Sequence, residues 1–129
     1  MPLLNFHIGE GRDDAAVRTL LDAAHRAMVE AFDVPSTDRY QTVTRHRAGE
    51  LVLDDTGLGM SRTPDAVLVT VVTRPRPEAA KLRFYALLSR HLWEQCGLAP
   101  GDLVVSVVEN ADADWSFGKG RAQFLTGEL

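Results

Sequence analysis

The chain has 129 residues, a formal net charge of −4, 45% hydrophobic residues and 25% charged residues, a composition that is typical of a folded globular protein and does not indicate a disordered chain. We therefore expect a single domain over residues 1–129, without a nucleic-acid partner, because the arginines are scattered among acids and no basic run occurs. No apolar run approaches the roughly 20 residues of a membrane span, and the first residues lack the features of a signal peptide, so we expect a cytoplasmic protein.

The first half of the chain, about residues 2–47, has the pattern of a strand, a helix and a second strand. A strand-like run covers Leu3 to Ile8, and Asp13 and Asp14 then supply the acidic residues that favour a helix start. The second strand-like run covers Tyr40 to Thr44. The helix between them is indicated by apolar residues at helical spacing, namely Leu20, Leu21, Ala24 and Met28.

Residues 48–64 connect the two halves. The stretch from Asp54 to Gly59, DDTGLG, has the residues of a tight turn, and a short hairpin is one form that it could take. Glycines also occur in phosphate-binding loops, but no Lys-Ser/Thr pair follows and no helix is predicted there. We therefore expect a turn and no nucleotide site.

The second half, about residues 66–109, repeats the strand, helix and strand pattern. The valine-rich run from Ala66 to Thr73 predicts a strand that is buried on both faces. Pro77 suits the first turn of a helix, which we expect to end at Gly97, and a last strand covers Leu103 to Val108. The predicted apolar stripe of this helix consists of Leu82, Tyr85, Leu88 and Leu92.

The two halves also share a weak internal repeat. Residues 12–38 align with residues 76–102 without a gap, with six identical positions among the 27. Each half therefore predicts a β-α-β unit with parallel strands and a right-handed crossover helix. Together they predict an α+β, two-layer fold, in which a four-stranded mixed sheet carries both helices on one face. Since the other face has no helix layer, we expect other subunits or the chain's own tail to cover it.

The remaining residues indicate packing rather than a metal or a cofactor. The tail from Asp114 onward is rich in aromatic residues and glycine, lacks a helical period and is expected to pack on another part of the protein. The single cysteine, Cys96, excludes an internal disulfide and a cysteine-based metal site, and we expect it to be a buried small side chain. The four histidines have no ligand spacing, so we expect no metal.

Two arginines indicate an anion site at the start of the second helix. Arg74 and Arg76 lie between a strand end and a helix start, where cations oppose the helix dipole unless an anion binds. The planar guanidinium suits a carboxylate, although a surface salt bridge, for instance to Glu78, is the alternative. If a twofold relates the halves, their first strands run antiparallel, and Pro2 then lies near the end of the strand that delivers Arg74. We therefore predict a carboxylate site beside Pro2.

Several motifs are spread over the whole chain. They are PLL at 2–4, LLDAAHRAMVEAF at 20–32, VPSTDRYQ at 34–41, DTGLG at 55–59, TRPRPE at 73–78, and DADWSFGKGRAQFLTGEL at 112–129. With these motifs the chain resembles the tautomerase superfamily, and within it the malonate semialdehyde decarboxylase branch. The resemblance implies that Met1 is removed, that the freed nitrogen of Pro2 is the catalytic amine and that the chain forms a homotrimer.

The same resemblance implies the reaction and its residues. The expected reaction is the decarboxylation of a small 3-oxo acid, malonate semialdehyde, to acetaldehyde and carbon dioxide without a cofactor. For Asp38, the matching position of Asp102 in the repeat favours a structural turn role for both, and only the resemblance assigns Asp38 to the site. The implied catalytic residues are Pro2, Asp38, Arg74 and Arg76. The implied active-site wall consists of Trp115, Phe117, Phe124 and Leu129.

Three other functions stay open at this point. One is hydration or dehalogenation of a 3-haloacrylate, as in the cis-3-chloroacrylate dehalogenase branch, which needs further His, Tyr and Glu groups that the sequence does not place. The second is keto-enol tautomerisation of a pyruvate-like acid, which needs a mainly neutral Pro2. The third is a non-catalytic trimer that binds small carboxylates or a protein partner.

Overall fold

A computed structural model describes all residues, 1–129, and contains four strands and two long helices. A short third helix, α3 (Gln123–Thr126), lies in the tail, and two 3₁₀ turns cover Pro100–Asp102 and Asp112–Asp114. The main elements in chain order are β1 (Leu3–Gly9), α1 (Asp14–Phe32), β2 (Tyr40–His46), β3 (Val67–Thr73), α2 (Glu78–Cys96) and β4 (Leu103–Glu109).

The four strands form one mixed sheet in the order β2-β1-β3-β4. Each half contributes a parallel pair, β1 with β2 and β3 with β4, whereas the central pair of β1 and β3 is antiparallel. In this central pair Leu3 lies opposite Val72. The start of β1 therefore lies at the end of β3, as the predicted twofold requires, and the predicted tandem of β-α-β units is confirmed.

The internal repeat is visible in the helix ends. Asp13 caps α1 by accepting a hydrogen bond from the Ala16 N–H at 2.8 Å, and Asp33 ends the helix in the left-handed region at φ 51°. Gly97 ends α2 in the same conformation at φ 66°. The gapless alignment stops at Asp38 and Asp102 because the segments that follow differ in length. The strand β2 begins two residues after Asp38, whereas β4 begins one residue after Asp102.

Both helices pack on one face of the sheet, and this interface is the core. The predicted stripe of α1 lies here, with Leu20, Ala24 and Met28 fully buried and Leu21 packed at the edge. The predicted stripe of α2 is wrong at Leu82, which is 58% exposed. Phe84 and Leu87 are buried with Leu88 and Leu92 instead. At 100° per residue, a helix that buries residues 84, 88 and 92 turns residue 82 toward solvent.

Burial alternates along β3 instead of covering both of its faces. Val67, Val69 and Val71 are fully buried beneath the helices, whereas Leu68 and Val72 on the opposite face are only partly buried. The predicted burial on both faces is therefore wrong for the single chain, because the helices cover one face only. Cys96 is likewise half-buried rather than buried.

The connection between the halves contains a turn but no hairpin. The carboxylate of Asp55 accepts hydrogen bonds from the N–H groups of Leu58 (3.1 Å) and Gly59 (2.8 Å), which closes the turn. Residues 48–64 form no strand, so the hairpin alternative is wrong. None of the helices combines the length and hydropathy that crossing a bilayer would require.

Candidate active site

The candidate site lies at the edge of the sheet where β1 begins and β3 ends. Pro2 is buried immediately before β1. Because Leu3 pairs with Val72, the next residues of β3, Thr73 and Arg74, follow beside the start of the chain. The antiparallel register thus delivers the amine and the arginines to one place through backbone hydrogen bonds, independently of any side-chain contact.

The amine at the start of the chain is surrounded by charges. The structure carries Met1, so the amine that responds to these surroundings is that of Met1. Burial lowers the pKa of this amine below its ordinary value, and the guanidinium groups of Arg76 and Arg74 lower it further, whereas Asp38 raises it. The charges of Arg74, Arg76 and Asp38 therefore all act on the amine of Met1, the residue that precedes Pro2. The catalytic role of Pro2, Asp38, Arg74 and Arg76 stays a prediction.

Arg76 is fixed from three sides, and its guanidinium group has no carboxylate partner. Its backbone N–H donates to Glu109 at 2.7 Å, and its Nε donates to the Thr73 hydroxyl at 3.0 Å. One Nη donates to the Phe32 carbonyl oxygen at 3.5 Å, while the guanidinium faces the Phe32 ring. Burial and the neighbouring Arg74 lower the pKa of Arg76, and Asp38 opposes this effect. The predicted alternative, a surface salt bridge, is not formed by the Arg76 side chain, whereas Arg74 does form one, with Asp112 in place of Glu78.

Arg74 is held differently, by one carboxylate and one aromatic ring. Its Nη1 donates to Asp112 Oδ1 at 3.0 Å. The guanidinium lies over the Phe124 ring, with 3.9 Å between Cζ and the ring centroid, which is a close cation–π contact. Its Nε is buried and has no hydrogen-bond partner. A buried donor without an acceptor is costly, so this atom indicates where a ligand oxygen would be stabilised.

The tail supplies a cluster of aromatic rings next to Arg74. The rings of Trp115 and Phe117 stack with centroids 5.3 Å apart, and Phe117 meets Phe124 edge to face at the same distance. Phe117 also contacts Tyr40 at 5.7 Å. Three of the four predicted wall residues are thus neighbours, and the predicted packing of the tail is confirmed. The fourth, Leu129, has a side chain that is 64% exposed, and its place in a wall stays a prediction.

Sequence reasoning missed the residues that hold the site in shape. Asp112 pairs with Arg74, and Asn110 accepts a hydrogen bond from Trp115 Nε1 at 2.7 Å. Both residues lie within three positions of the end of β4, whose carboxyl end lies at the same edge as that of β3 because the two strands are parallel. Because β4 was predicted to pair with β3, the residues after β4 could have been expected to lie beside Arg74.

A cavity of about 540 Å³ lies at the opposite end of the sheet, away from the amine. It is lined by the end of β1, the end of β2 and the connection, and it includes Glu10, Arg12 and Ala66. Counted along the repeat, these three residues correspond to Arg74, Arg76 and Pro2. Ala66 is inside the chain and offers no amine. The chemistry therefore favours the amine-bearing end, although this cavity lies at the other end of the sheet.

The arrangement at the amine-bearing end suits a small carboxylate with a neighbouring carbonyl group. Two guanidinium groups provide donors for a carboxylate, and an amine whose pKa is lowered can act as a nucleophile, a base or a hydrogen-bond donor. The chain contains no group of three or more His, Cys, Asp or Glu residues that could hold a metal ion.

Several known proteins are similar to this chain in sequence and in fold. Residues 38–118 match the family described as tautomerase enzyme. A probable tautomerase of Bacillus subtilis, YrdN, is 54% identical over 129 residues, and the match covers 100% of both chains. The crystal structures of a malonate semialdehyde decarboxylase, described with decarboxylase and hydratase activities, share 59% identity and a TM-score of 0.97 over 98% of each chain.

Two further structures widen the comparison. A malonate semialdehyde decarboxylase inhibited by 3-bromopropiolate is 37% identical, with a TM-score of 0.94 over 98% of this chain and 97% of that chain. A fused 4-OT solved as a symmetric trimer has a TM-score of 0.78 at 22% identity, covers 97% and 98% of the two chains, and shows the fold alone. Since the family match spans most of the chain and full-length relatives exceed half identity, this protein belongs to the tautomerase family.

Proposed function

We propose that this protein decarboxylates malonate semialdehyde to acetaldehyde and carbon dioxide, with Pro2 as its catalytic amine after removal of Met1. The observation that carries the proposal is the position of the N-terminal amine, here that of Met1, where burial and the guanidinium charges of Arg76 and Arg74 lower its pKa. A three-carbon substrate with a carboxylate at one end and an aldehyde at the other fits two guanidinium groups and one amine. The 59% identical relative, a malonate semialdehyde decarboxylase, supports the choice of substrate.

In the proposed mechanism the arginines bind the carboxylate. Arg76 is pre-positioned by Thr73 and by the backbone bond to Glu109, so little freedom is lost on binding. Two donors that grip the carboxylate also set its rotation, and the breaking carbon–carbon bond can then align with the carbonyl π system. The ring cluster of Trp115, Phe117 and Phe124 excludes water, which strengthens these charged contacts.

Pro2 then stabilises the negative charge that develops on the aldehyde oxygen. As a cation it donates a hydrogen bond to this oxygen while the bond to the carboxylate breaks and its electron pair enters the enolate. Carbon dioxide leaves, and protonation of the enolate carbon gives acetaldehyde. As a neutral amine, Pro2 would instead form an iminium ion with the aldehyde, releasing water, and the iminium would accept the same electron pair to give an enamine. Protonation of the enamine carbon and hydrolysis by water would then release acetaldehyde and the free amine. Asp38 would stabilise the cationic form of Pro2, because its charge raises the pKa of the amine at this place.

The experiment is a substrate assay followed by proton NMR, on protein whose loss of Met1 is verified by mass spectrometry. Wild-type protein should convert malonate semialdehyde to acetaldehyde, and Pro2→Ala should lose this activity. Borohydride added with substrate separates the two routes, since only an iminium ion leaves a reduced adduct on Pro2. Wild-type protein without acetaldehyde formation would refute the proposed reaction.

Tautomerisation of a pyruvate-like keto acid is the second candidate. The 54% identical relative is a probable tautomerase, and a lowered amine pKa increases the neutral fraction that can abstract a proton. The same NMR assay with the enol form of a 2-oxo acid tests this function. Faster ketonisation of that enol than decarboxylation of malonate semialdehyde would favour the tautomerase.

We also propose that the protein acts as a homotrimer. One sheet face is without helices, and it exposes apolar residues such as Val108, which is 50% exposed. A related fold is known as a symmetric trimer. Analytical ultracentrifugation should give a species of three times the 14.2 kDa chain mass, and a monomer at micromolar concentration would contradict the proposal.

A further inference from the structure

Arg74 has an asymmetric environment that divides its guanidinium into two edges. One edge, at Nη1, donates to Asp112 Oδ1 at 3.0 Å. The other edge carries Nε, which is buried and has no partner. The face of the group is covered by the Phe124 ring, 3.9 Å from Cζ. One edge is therefore occupied by a carboxylate of the protein, and the Nε edge is left with an unmet donor.

The carboxylate of Asp112 stands on a segment that is itself fixed. The backbone N–H of Asn110 donates to the Thr73 carbonyl oxygen at 2.8 Å, which joins the segment to the end of β3. The carboxylate of Asp114 accepts from the Ala111 N–H at 2.7 Å and closes the 3₁₀ turn around Asp112. The Asp112 side chain thus starts from a backbone that is held on both sides.

We infer that Asp112 is a positioning residue, which holds Arg74 by its Nη1 edge and thereby presents the Nε edge, with Nε and Nη2 in parallel, to the substrate carboxylate. The inference rests on the proposed binding of a carboxylate by Arg74. A carboxylate placed on Nε and Nη2 makes two charge-assisted hydrogen bonds and satisfies the buried Nε–H. Asp112 does not touch the substrate in this arrangement.

The direction in which anion affinity changes on removal of Asp112 distinguishes a positioning role from a purely electrostatic one. A second carboxylate near the site repels an anionic substrate, so a purely electrostatic role predicts tighter anion binding when Asp112 is removed. A positioning role predicts weaker binding, because Arg74 then samples rotamers in which the Nε edge points elsewhere. Asp112→Asn keeps an oxygen acceptor without the charge, so it should restore binding if position matters.

The test measures binding, not turnover, of 3-hydroxypropanoate, which has the carboxylate of the proposed substrate but cannot lose carbon dioxide as a 3-oxo acid does. Isothermal titration would compare the wild type, Asp112→Ala, Asp112→Asn and the control Asp54→Ala, which changes an acid at the opposite end of the sheet. The neutral amide, 3-hydroxypropanamide, serves as the ligand control. Circular dichroism would verify that each variant is folded.

We expect Asp112→Ala to weaken binding of 3-hydroxypropanoate about tenfold, a loss in the range of one hydrogen bond to a charged group. Asp112→Asn should recover most of it, and Asp54→Ala should bind as the wild type does. Unchanged or tighter binding in folded Asp112→Ala would overturn the inference, as would equal loss in both Asp112 variants. Wild-type protein that binds the anion but forms no acetaldehyde would refute only the decarboxylase.

Discussion

The two ends of the central strand pair are related by the repeat, yet only one of them carries an amine and a pair of arginines. At one end lie Pro2, Arg74 and Arg76; at the other, the matching positions hold Ala66, Glu10 and Arg12. The second end has a cavity of about 540 Å³ but no amine, since Ala66 is within the chain. The difference teaches that duplication copies the scaffold, whereas a chemistry that needs a chain terminus can exist only once per chain.

The aspartates at the two helix-to-strand junctions make the same point. Both stand after a turn, in which the N–H of Asp38 donates to Pro35 and that of Asp102 donates to Ala99. Asp102 is 2% exposed, and its carboxylate accepts hydrogen bonds from the backbone and the hydroxyl of Thr63. Asp38 is less buried, and its charge acts on the amine and on Arg76. The shared position has a structural use at one end and an electrostatic one at the other.

Changing the catalytic amine should give the largest difference between the ends. Pro2→Ala replaces the secondary ring amine by a primary amine on a flexible residue, and we expect kcat/KM for malonate semialdehyde to fall by at least about 100-fold, the scale of acid–base catalysis by a positioned group. Pro64→Ala makes the same change at an exposed proline of the second end and should leave kcat/KM unaltered. Steady-state kinetics on both variants tests this prediction. Equal losses of kcat/KM in Pro2→Ala and Pro64→Ala would contradict the assignment of catalysis to the end that carries Pro2.

The arginines should give the next largest difference. Replacing Arg76 by glutamine removes a charged donor from the carboxylate, and we expect kcat/KM to fall about 10- to 100-fold. Arg12→Gln changes the aligned arginine at the second end and should retain full activity. Loss of activity in Arg12→Gln with retention in Arg76→Gln would move the proposed site to the other end.

Substitution of Asp38 should change the pH profile of activity, whereas substitution of Asp102 should change the stability of the fold. In Asp38→Asn the charge that raises the pKa of the amine is gone, so this pKa should fall, and the corresponding limb of the pH profile of kcat/KM should move to lower pH. If the cation is the active form, the alkaline limb moves; if the neutral amine is active, the acid limb moves.

Asp102→Asn is the matched control for that measurement. We expect no change in its pH profile and a loss of about 1–3 kcal/mol in the free energy of unfolding, because two hydrogen bonds of a buried carboxylate are disturbed. Urea denaturation of both variants measures the second effect. A shifted pH profile in Asp102→Asn would show that the two positions are not functionally different.

The smallest effect is expected at the wall. Trp115→Phe keeps an aromatic ring but removes the hydrogen bond from Nε1 to Asn110, and we expect KM to rise about threefold with little change in kcat. Trp93→Phe, at an indole that is 55% exposed on α2, makes the same substitution away from the site and should not change KM. An unchanged KM in Trp115→Phe would indicate that the ring alone forms the wall.

The sequence predicted the elements well because their patterns are local. Alternating and helical spacing of apolar residues, with Asp13 and Gly97 at helix ends, defines β-α-β units without knowledge of the rest. The face of α2 was misjudged at Leu82, because its position depends on how the helix rotates against the sheet, which is a property of the assembled core. Burial of β3 was overestimated for the same reason, since composition does not tell which face lacks a cover.

The site was predicted only where chain topology alone brings residues together. Antiparallel pairing of the first strands placed Pro2 beside Arg74 before any side chain was considered. The partners of these residues could not be foreseen, because the ion pair with Asp112 and the stacking on Phe124 depend on how the tail folds back. The assignment of Asp38 came from the resemblance to the superfamily and not from its spacing.

The tail and the start of the chain meet at the same end of the sheet, because the tail ring Phe117 touches Tyr40, whose strand neighbour is Leu3. Fusion partners or labels attached to either terminus would therefore crowd the proposed site. The turn closed by Asp55 is a better attachment point: it lies in the connection, and Leu58 there is 70% exposed. A reporter inserted at this turn would leave the amine free and the tail in place.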